Sequence, residues 1–498
     1  MASVKPKKNQ SLQKRKEEGQ EKRKTSFTDK FDKLDLQIHG VRLPSFTIEK
    51  EYLELVDSPE KIKSNYDFLI QLCQKGFKKL GLERGSDLHK KYTDRIYYEL
   101  DILKTLGFVD YILLVWKVTH FCAQQDIPIG LGRGSAAGSF VLYLLGVTRI
   151  DPVKYDLFFE RFVSKIRAKK KEVDGVTYLD GSLMCDIDMD VCYYRRKEVL
   201  KYLEVEFEGK TSKLRTLNTL SSKLVMKECG KIVDDKSEVE MNRVSSMIPK
   251  IFGQVKDVKE SYDEVEDFKN WCDDNPKTYK TALKLRGLVK NKGVHPSAIL
   301  LSHDDILNNC PLELDSDKDT ISSFDMNWAS IFNVKLDVLG LRTASVVAQA
   351  CKLIDIKVED IDLDDSSIYR NLYDLKNPHG IFQVEAGANF RVCQKVKPKN
   401  LEELSAVLAL ARPGAMQFVD QYANYTNNDV YEAIDPFFDD ILKSTGGVAL
   451  YQEQLMQMAH KIGFTLDEAE VLRRIVGKKK VSEVKKWKKK ISEKVKEN

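Results

Sequence analysis

A chain of 498 residues is too long for one ordinary hydrophobic core, so two to four domains are expected. With 42% hydrophobic and 32% charged residues, and no apolar run near the roughly 20 residues of a membrane span, the composition is that of a soluble globular protein and argues against a membrane protein. The formal net charge of +5 is a small difference between 81 basic and 76 acidic groups and by itself singles out no nucleic-acid partner.

The distribution of charge says more. The first 24 residues are polar and rich in Lys and Arg, with no secretory signal, and fit either a solvated tail or an arm that contacts phosphates. In residues 92–106 Ile96, Leu100 and Leu103 recur at helical spacing, Gly107 interrupts, and a second apolar stretch runs from 109 to about 122, which predicts two helices with buried faces. A short apolar run at 127–129 then meets the glycine-rich segment G-L-G-R-G-S-A-A-G at 130–138, followed by another apolar helical stretch. The order is strand, loop, helix. Amides of the loop and the helix N-terminus could bind a phosphate, with Arg133, Gly134 and Ser135 adding contacts, although a lone glycine turn is weak evidence.

Residues 185–191 (C-D-I-D-M-D-V) alternate acidic and apolar side chains. On a strand this period puts Asp186, Asp188 and Asp190 on one face, about 6.6 Å from one to the next, with Ile187, Met189 and Val191 facing a core. Such a row raises the pKa of each member unless a counter-ion is present. Mg2+ meets the need, because it takes carboxylate oxygens and leaves positions for phosphates; a solvated acidic edge strand fits the hexad alone equally well. Residues 218–291 are mostly charged and helical in pattern and read as an inserted helical subdomain. A second acidic strand follows it, with Val334, Leu336 and Val338 on one side and Lys335 and Asp337 on the other. Asp337 is expected as a third ligand from a neighbouring strand, and Lys335 either neutralises a phosphate or pairs with Asp337.

From about residue 344 the pattern is helical again, with capping boxes expected at Asn400/Glu403 and Thr465/Glu468. The last 21 residues hold a dense lysine run, including Lys478, in which Trp487 is the only aromatic and which is a further candidate for phosphate contact. Nine cysteines without a C-x-x-C pair fit reduced thiols and a cytoplasmic location.

A Gly-Ser turn opening a helix, a D-x-D strand and a third carboxylate on a later strand form the layout of a polymerase-beta-like nucleotidyltransferase palm. The chain further resembles family C DNA polymerases, the bacterial DNA polymerase III alpha subunits. The resemblance rests on G-R-G-S-A-A-G-S at 132–139, D-P at 151 with F-E-R-F at 159–162, the acidic hexad, V-K-L-D-V-L-G-L-R at 334–342, G-I-F-Q at 380–383, A-R-P-G at 411–414, L-Y-Q-E-Q at 450–454 and L-R-R-I-V-G-K-K-K at 472–480.

The resemblance implies an α+β fold: a mixed-sheet palm from 40–216 and 295–345, an inserted helical thumb at 217–294 and a mostly helical, incomplete fingers domain at 346–498, behind a basic extension at 1–39. It implies a DNA-directed DNA polymerase core working by two-metal nucleotidyl transfer. Asp186, Asp188 and Asp337 would be the ligands of two Mg2+ ions, with Mn2+ as a substitute, and Asp190 a secondary ligand. Arg412, Arg473, Arg474 and Lys478 would hold the incoming triphosphate. Lys165, Arg167, Lys284, Arg286, Lys290 and Lys292 are the expected DNA contacts.

The implied partners are primer-template DNA, deoxynucleoside triphosphates, a second polypeptide completing the fingers, a sliding clamp and a separate proofreading exonuclease. Cys185 stands where the family has proline, Asn218 where it has the glycine of F-G-T, and 165–183 is a longer, lysine-rich insertion that either touches DNA or is a solvated hairpin. The family's phosphoesterase-like domain, F-N-K-S-H-S segment and OB-fold have no counterpart in the chain. A non-catalytic replisome scaffold and a template-independent nucleotidyltransferase are the alternatives.

Overall fold

The computed structural model describes residues 39–166, 170–181, 184–251, 254–477 and 481–497. The basic segment expected at 1–39, apart from His39, and the candidates Arg167 and Lys478 lie outside the described residues.

Three helices build the scaffold behind the acidic strands. Helix α1 (Asn65–Lys78) begins at Ser64 and α2 (Asp87–Leu106) at Ser86; each serine oxygen accepts a backbone N–H of its first turn, a cap that contributes about 1 kcal/mol. Helix α2 stops where expected, at Gly107, whose φ of +78° is the left-handed conformation that closes a helix. Helix α3 (Val109–Gln124) comes next, and Leu103, Tyr111, Ile112, Leu113 and Val115 from the pair are buried in the largest core. Among the described residues no single helix is long and apolar enough to cross a membrane; α2 and α3 are together apolar enough, but a bend of 112° separates them.

The glycine segment departs from expectation. Residue 129 makes only an isolated bridge to Val191, the loop passes through one 3-10 turn (Ala136–Gly138), and the next helix, α4 (Phe140–Leu144), has five residues. Its N-terminus faces a buried carboxylate: Glu99 accepts the N–H groups of Phe140 and Val141 and the Ser139 hydroxyl, at 2.8 to 3.0 Å. Those amides therefore are not open to a phosphate, contrary to the expectation from sequence. A short helix α5 (Phe159–Phe162) then leads to the lysine-rich insertion, which contains an antiparallel hairpin, β1 (Lys170–Val173) with β2 (Val176–Leu179), turning at Gly175.

Strand β3 (Asp188–Cys192), helix α6 (Arg196–Glu206), β4 (Thr211–Thr219), β5 (Val289–Leu301), β6 (Leu312–Leu314), β7 (Thr320–Asp325) and β8 (Val334–Leu341) complete the α+β layer. The six-stranded sheet runs β3-β8-β5-β4-β7-β6 and is mixed, with β3 parallel to β8 and β5 antiparallel to both β8 and β4. Because side chains alternate across a strand, Val334, Leu336 and Val338 join Met189 and Val191 in the core while Lys335 and Asp337 take the other face.

Between β4 and β5 the chain makes five helices, α7 (Ser222–Val233), α8 (Glu238–Met247), α9 (Val258–Glu264), α10 (Glu266–Asp274) and α11 (Pro276–Leu285). They enclose a separate hydrophobic cluster that includes Met226, Met241, Val244 and Phe268.

Helix α12 (Arg342–Leu353) continues directly from β8, and α13 (Gly387–Val396), α14 (Leu401–Leu410) and α15 (Val419–Asn428) share the next cluster. Asn400 caps α14 by accepting the Glu403 N–H, but Glu403 returns its carboxylate to the Lys399 N–H and not to that of Asn400. The Thr465/Glu468 box is complete, each side chain accepting the other's backbone N–H.

Helices α16 (Gln452–Lys461), α17 (Leu466–Gly477) and α18 (Val481–Glu497) form a last cluster, against which Phe158 packs. Arg161 donates to Glu453 at 2.5 Å and Ser164 to Asp467 at 2.5 Å, so the F-E-R-F and L-Y-Q-E-Q segments, 292 residues apart, hold each other. Buried Gln454 accepts the N–H groups of Leu450 and Tyr451 and donates to Ile441 and Thr445, which makes it a structural residue of its motif.

Candidate metal centre

The parallel pairing of β3 with β8 sets Asp188 directly opposite Asp337, and Asp186 lies two residues ahead of Asp188, just before the strand begins. Carboxylate oxygens of the three lie within 4.8 Å of one another. Asp190, expected on the same face, stands outside this group and receives the Arg133 guanidinium at 3.3 Å, while its backbone carbonyl accepts the Gly130 N–H at 2.8 Å.

Asp337 is buried and held from two sides. Lys335 contacts its Oδ2 at 2.6 Å, and the Ser297 hydroxyl donates to its Oδ1 at 3.3 Å. The same lysine lies 3.6 Å from Asp186. Burial would lower the Lys335 pKa, but the hydrogen bond to Asp337 and the charges of Asp186, Asp337 and Asp188 outweigh it and hold the ammonium above its ordinary value.

Desolvation pushes the Asp186 carboxyl up, Lys335 pulls it back and Asp337 pushes it up again, while 56% of the Asp186 side chain remains exposed. Asp188 is raised by desolvation and by its two acidic neighbours, with Arg133, 3.7 Å away, and Lys335 opposing. Four carboxylates against two cations leave a charge of −2 when all are ionised. That donor set, all oxygen and net negative, fits a hard divalent cation.

Sequence reasoning missed the residues that aim these groups. Ser297 sits on β5 beside Ala298, the register partner of Asp337, and the His295 ring accepts the N–H groups of Ser297 and Ala298 at 3.3 and 2.9 Å. Arg196 donates to the Val338 carbonyl at 2.6 Å and ties α6 to the acidic strand. Tyr111 donates to the Cys185 carbonyl at 3.2 Å and supports the segment entering Asp186. None belongs to a charged alternation; strand register marks only the β5 residues, and Arg196 and Tyr111 reach the acidic segments from helices.

The glycine loop crosses over the acidic strand. A Cβ at Gly130 would lie 2.7 Å from that of Asp190, and one at Gly134, where φ is +67°, 3.4 Å from Asp188 Oδ2. Ser135 is half-buried beside it.

Other candidates are placed less uniformly. Arg412 is exposed and has no carboxylate partner among the described residues. Arg473 instead grips buried Glu470 through two bonds at 2.6 and 2.8 Å and reaches Gln452, and Arg474 lies 3.6 Å from the same carboxylate. Lys165 lies over the Tyr98 ring at 5.8 Å. Arg286 pairs with Asp257, Lys290 with Glu228 at 2.9 Å and Lys292 with Glu313 at 3.2 Å, while Lys284 is exposed. A second acidic group, Asp315, Asp317 and Asp319, is engaged otherwise: Lys213 bonds Asp315 and Asp319, and Asp315 also accepts the N–H groups of Asp317 and Asp319.

Residues 67–340 match the family model for the bacterial DNA polymerase III alpha NTPase domain, and residues 342–498 match that for the alpha subunit finger domain. The chain belongs to the bacterial DNA polymerase III alpha family. Among curated relatives, the DNA polymerase III alpha subunit of Campylobacter jejuni is 32% identical over 482 residues, covering 91% of this chain and 38% of the relative. That of Borreliella burgdorferi is 32% identical over 472 residues, with 92% and 38% covered, and that of Staphylococcus aureus strain MRSA252 is 33% identical over 465, with 89% and 40% covered. The chain thus spans about two fifths of the length of these relatives. In this member of the polymerase III alpha family the three clustered aspartates fall inside the NTPase match, and α13 to α18 inside the finger match.

Proposed function

We propose that this chain is the core of a DNA-directed DNA polymerase, and that Asp186, Asp188 and Asp337 are its metal ligands. The observation that carries the reading is the cross-strand pair Asp188/Asp337 with Asp186 beside it, oxygens within 4.8 Å, in a member of the polymerase III alpha family. Two Mg2+ ions, with Mn2+ as a substitute, would supply Lewis acidity toward a primer 3′-hydroxyl and a departing pyrophosphate.

The chain's own groups do the rest. Ser297 and Lys335 fix the Asp337 carboxylate. Lys335, beside Asp186 and Asp337, and Arg133, beside Asp188 and Asp190, would take up phosphate charge once the carboxylates are otherwise engaged. Arg412 is the exposed cation offered to a triphosphate from the helical C-terminal region, whereas Arg473 and Arg474 would first have to exchange Glu470 for it. We assign residues 217–294 as thumb and those after 345 as fingers; the separate core of α7 to α11 supports the first boundary. Template pairing would supply sequence choice, so contacts to duplex should be to phosphate and shape.

The test is primer extension on primer-template DNA, run with the chain alone and together with a polypeptide carrying the F-N-K-S-H-S segment. Asp188→Asn and Asp337→Asn are each expected to lower extension about 100-fold or more. Undiminished synthesis by both variants would overturn the assignment, and extension of a primer without template would favour the template-independent alternative.

A further inference from the structure

The basic side chains expected to meet DNA near the insertion are largely spent on their own carboxylates: Arg286, Lys290 and Lys292 each have one. Helix α18 has the opposite character. Its 17 residues (V-S-E-V-K-K-W-K-K-K-I-S-E-K-V-K-E) carry seven lysines against three glutamates. One face is anchored: Trp487 is 9% exposed and packs on Phe464 with ring centroids 5.4 Å apart, and Ile491, one turn on, joins the same cluster. The helix is therefore seated on α16 and α17, which Arg161 and Ser164 fasten to the region around α5.

At about 100° per residue, Lys486, Lys489 and Lys496 fall on the arc facing away from Trp487 and Ile491, and all three are exposed. Lys488 and Lys490 flank that arc, the latter over the Trp487 ring at 5.0 Å. Lys489 is held only loosely by Glu493, at 3.8 Å, with 83% of its side chain exposed. Lys486, Lys488 and Lys496 have no carboxylate partner among the described residues. From residue 486 to 496 the arc is about 15 Å long at the helical rise, enough to reach phosphates across one groove of a duplex.

We infer that α18 is a contact surface for the phosphate backbone of duplex DNA, independent of base sequence. The inference rests on the polymerase reading for its choice of partner but not on the carboxylate centre for its chemistry. Lysine ammonium groups on an anchored helix release counterions from the duplex without ordering a flexible tail, so binding through them is strong at low salt and steeply salt-dependent.

The experiment measures binding of a fluorescent DNA duplex by the full chain across a salt series. Lys486→Gln, Lys489→Gln and Lys496→Gln in one chain should weaken binding about tenfold or more near 0.1 M salt, and flatten the slope of log K against log salt by about 0.9 for each phosphate no longer neutralised. The matching triple substitution to Arg should restore both. In a chain that already carries Asp188→Asn and Asp337→Asn, the three Gln substitutions should cost the same fold in affinity, so a defect in synthesis alone indicts the carboxylates and leaves α18 standing. Unchanged affinity and slope in the Gln chain, with thermal unfolding also unchanged, would overturn the inference. So would binding of phosphatidylserine vesicles, but not of DNA, that depends on the three lysines.

Discussion

Glu99 places a carboxylate in a fully buried position beneath the glycine loop, where Arg95, Ser139 and two backbone N–H groups meet it. Burial pushes its pKa up; the Arg95 charge and the N–H groups of Val141 and Phe140 oppose this without cancelling it. A raised folded-state pKa means that the native protein holds this proton to higher pH than the unfolded chain does. The contribution to stability is then full below the unfolded value of about 4.3 and is lost as pH rises through the folded one. Glu99→Gln removes that dependence. In urea unfolding, the wild type's advantage over the variant should shrink as pH is raised from about 4.5 toward neutrality, and an advantage that grows would contradict the assignment.

The three clustered aspartates were legible because alternation with apolar neighbours reports a strand face directly. Glu99, Ser297 and His295 were not legible, since a buried acid on a helix and a serine after proline acquire their partners only through tertiary pairing.

Among the elements, helices α2 and α3 could be read from spacing and from Gly107, since caps and periodicity are local. The loop at 130–138 could not, because it opens into a helix of only five residues whose N-terminus is taken by a carboxylate 41 residues earlier in the chain. The glycines instead permit close approach. Gly130 donates to Asp190 and leaves no room for a side chain, a Cβ there falling 2.7 Å from that of Asp190. Gly130→Ala should therefore cost about 1 to 3 kcal/mol, the usual range for overpacking. It should also lower primer extension by moving the loop off β3. A variant with wild-type melting temperature and rate would show that the contact yields freely.

At the scale of the whole molecule, a mixed sheet brings residues 188 and 337 into register across an insertion with its own core. That adjacency was anticipated from two acidic strands of matching pattern. The full order β3-β8-β5-β4-β7-β6 was not, because strand order depends on pairing energies between segments that carry no mutual label. Nor was the tie between Arg161 and Glu453, which joins two motifs that look independent when read along the chain. A centre assembled from separate segments exists only in the folded state, so ions that bind there must stabilise the fold. Thermal unfolding should shift upward with Mg2+ or Mn2+, by about 2.7 kcal/mol at a hundredfold excess over Kd. Asp188→Asn together with Asp337→Asn should abolish the shift, and a shift that survives both would place the ions elsewhere.

Lys335, clasped between Asp337 and Asp186, is in effect a resident competitor. Its ammonium is covalently leashed, so it cannot be diluted away, and an ion bound as proposed would have to displace it from both carboxylates. A displaced ammonium needs a new anion, and the triphosphate proposed as substrate would offer one. Ion and nucleotide should then recruit each other, each tightening the other's binding by the same factor. Lys335→Met should let Mn2+ bind more tightly to the bare protein and erase most of that mutual gain, a pair of changes that calorimetry reads without any turnover.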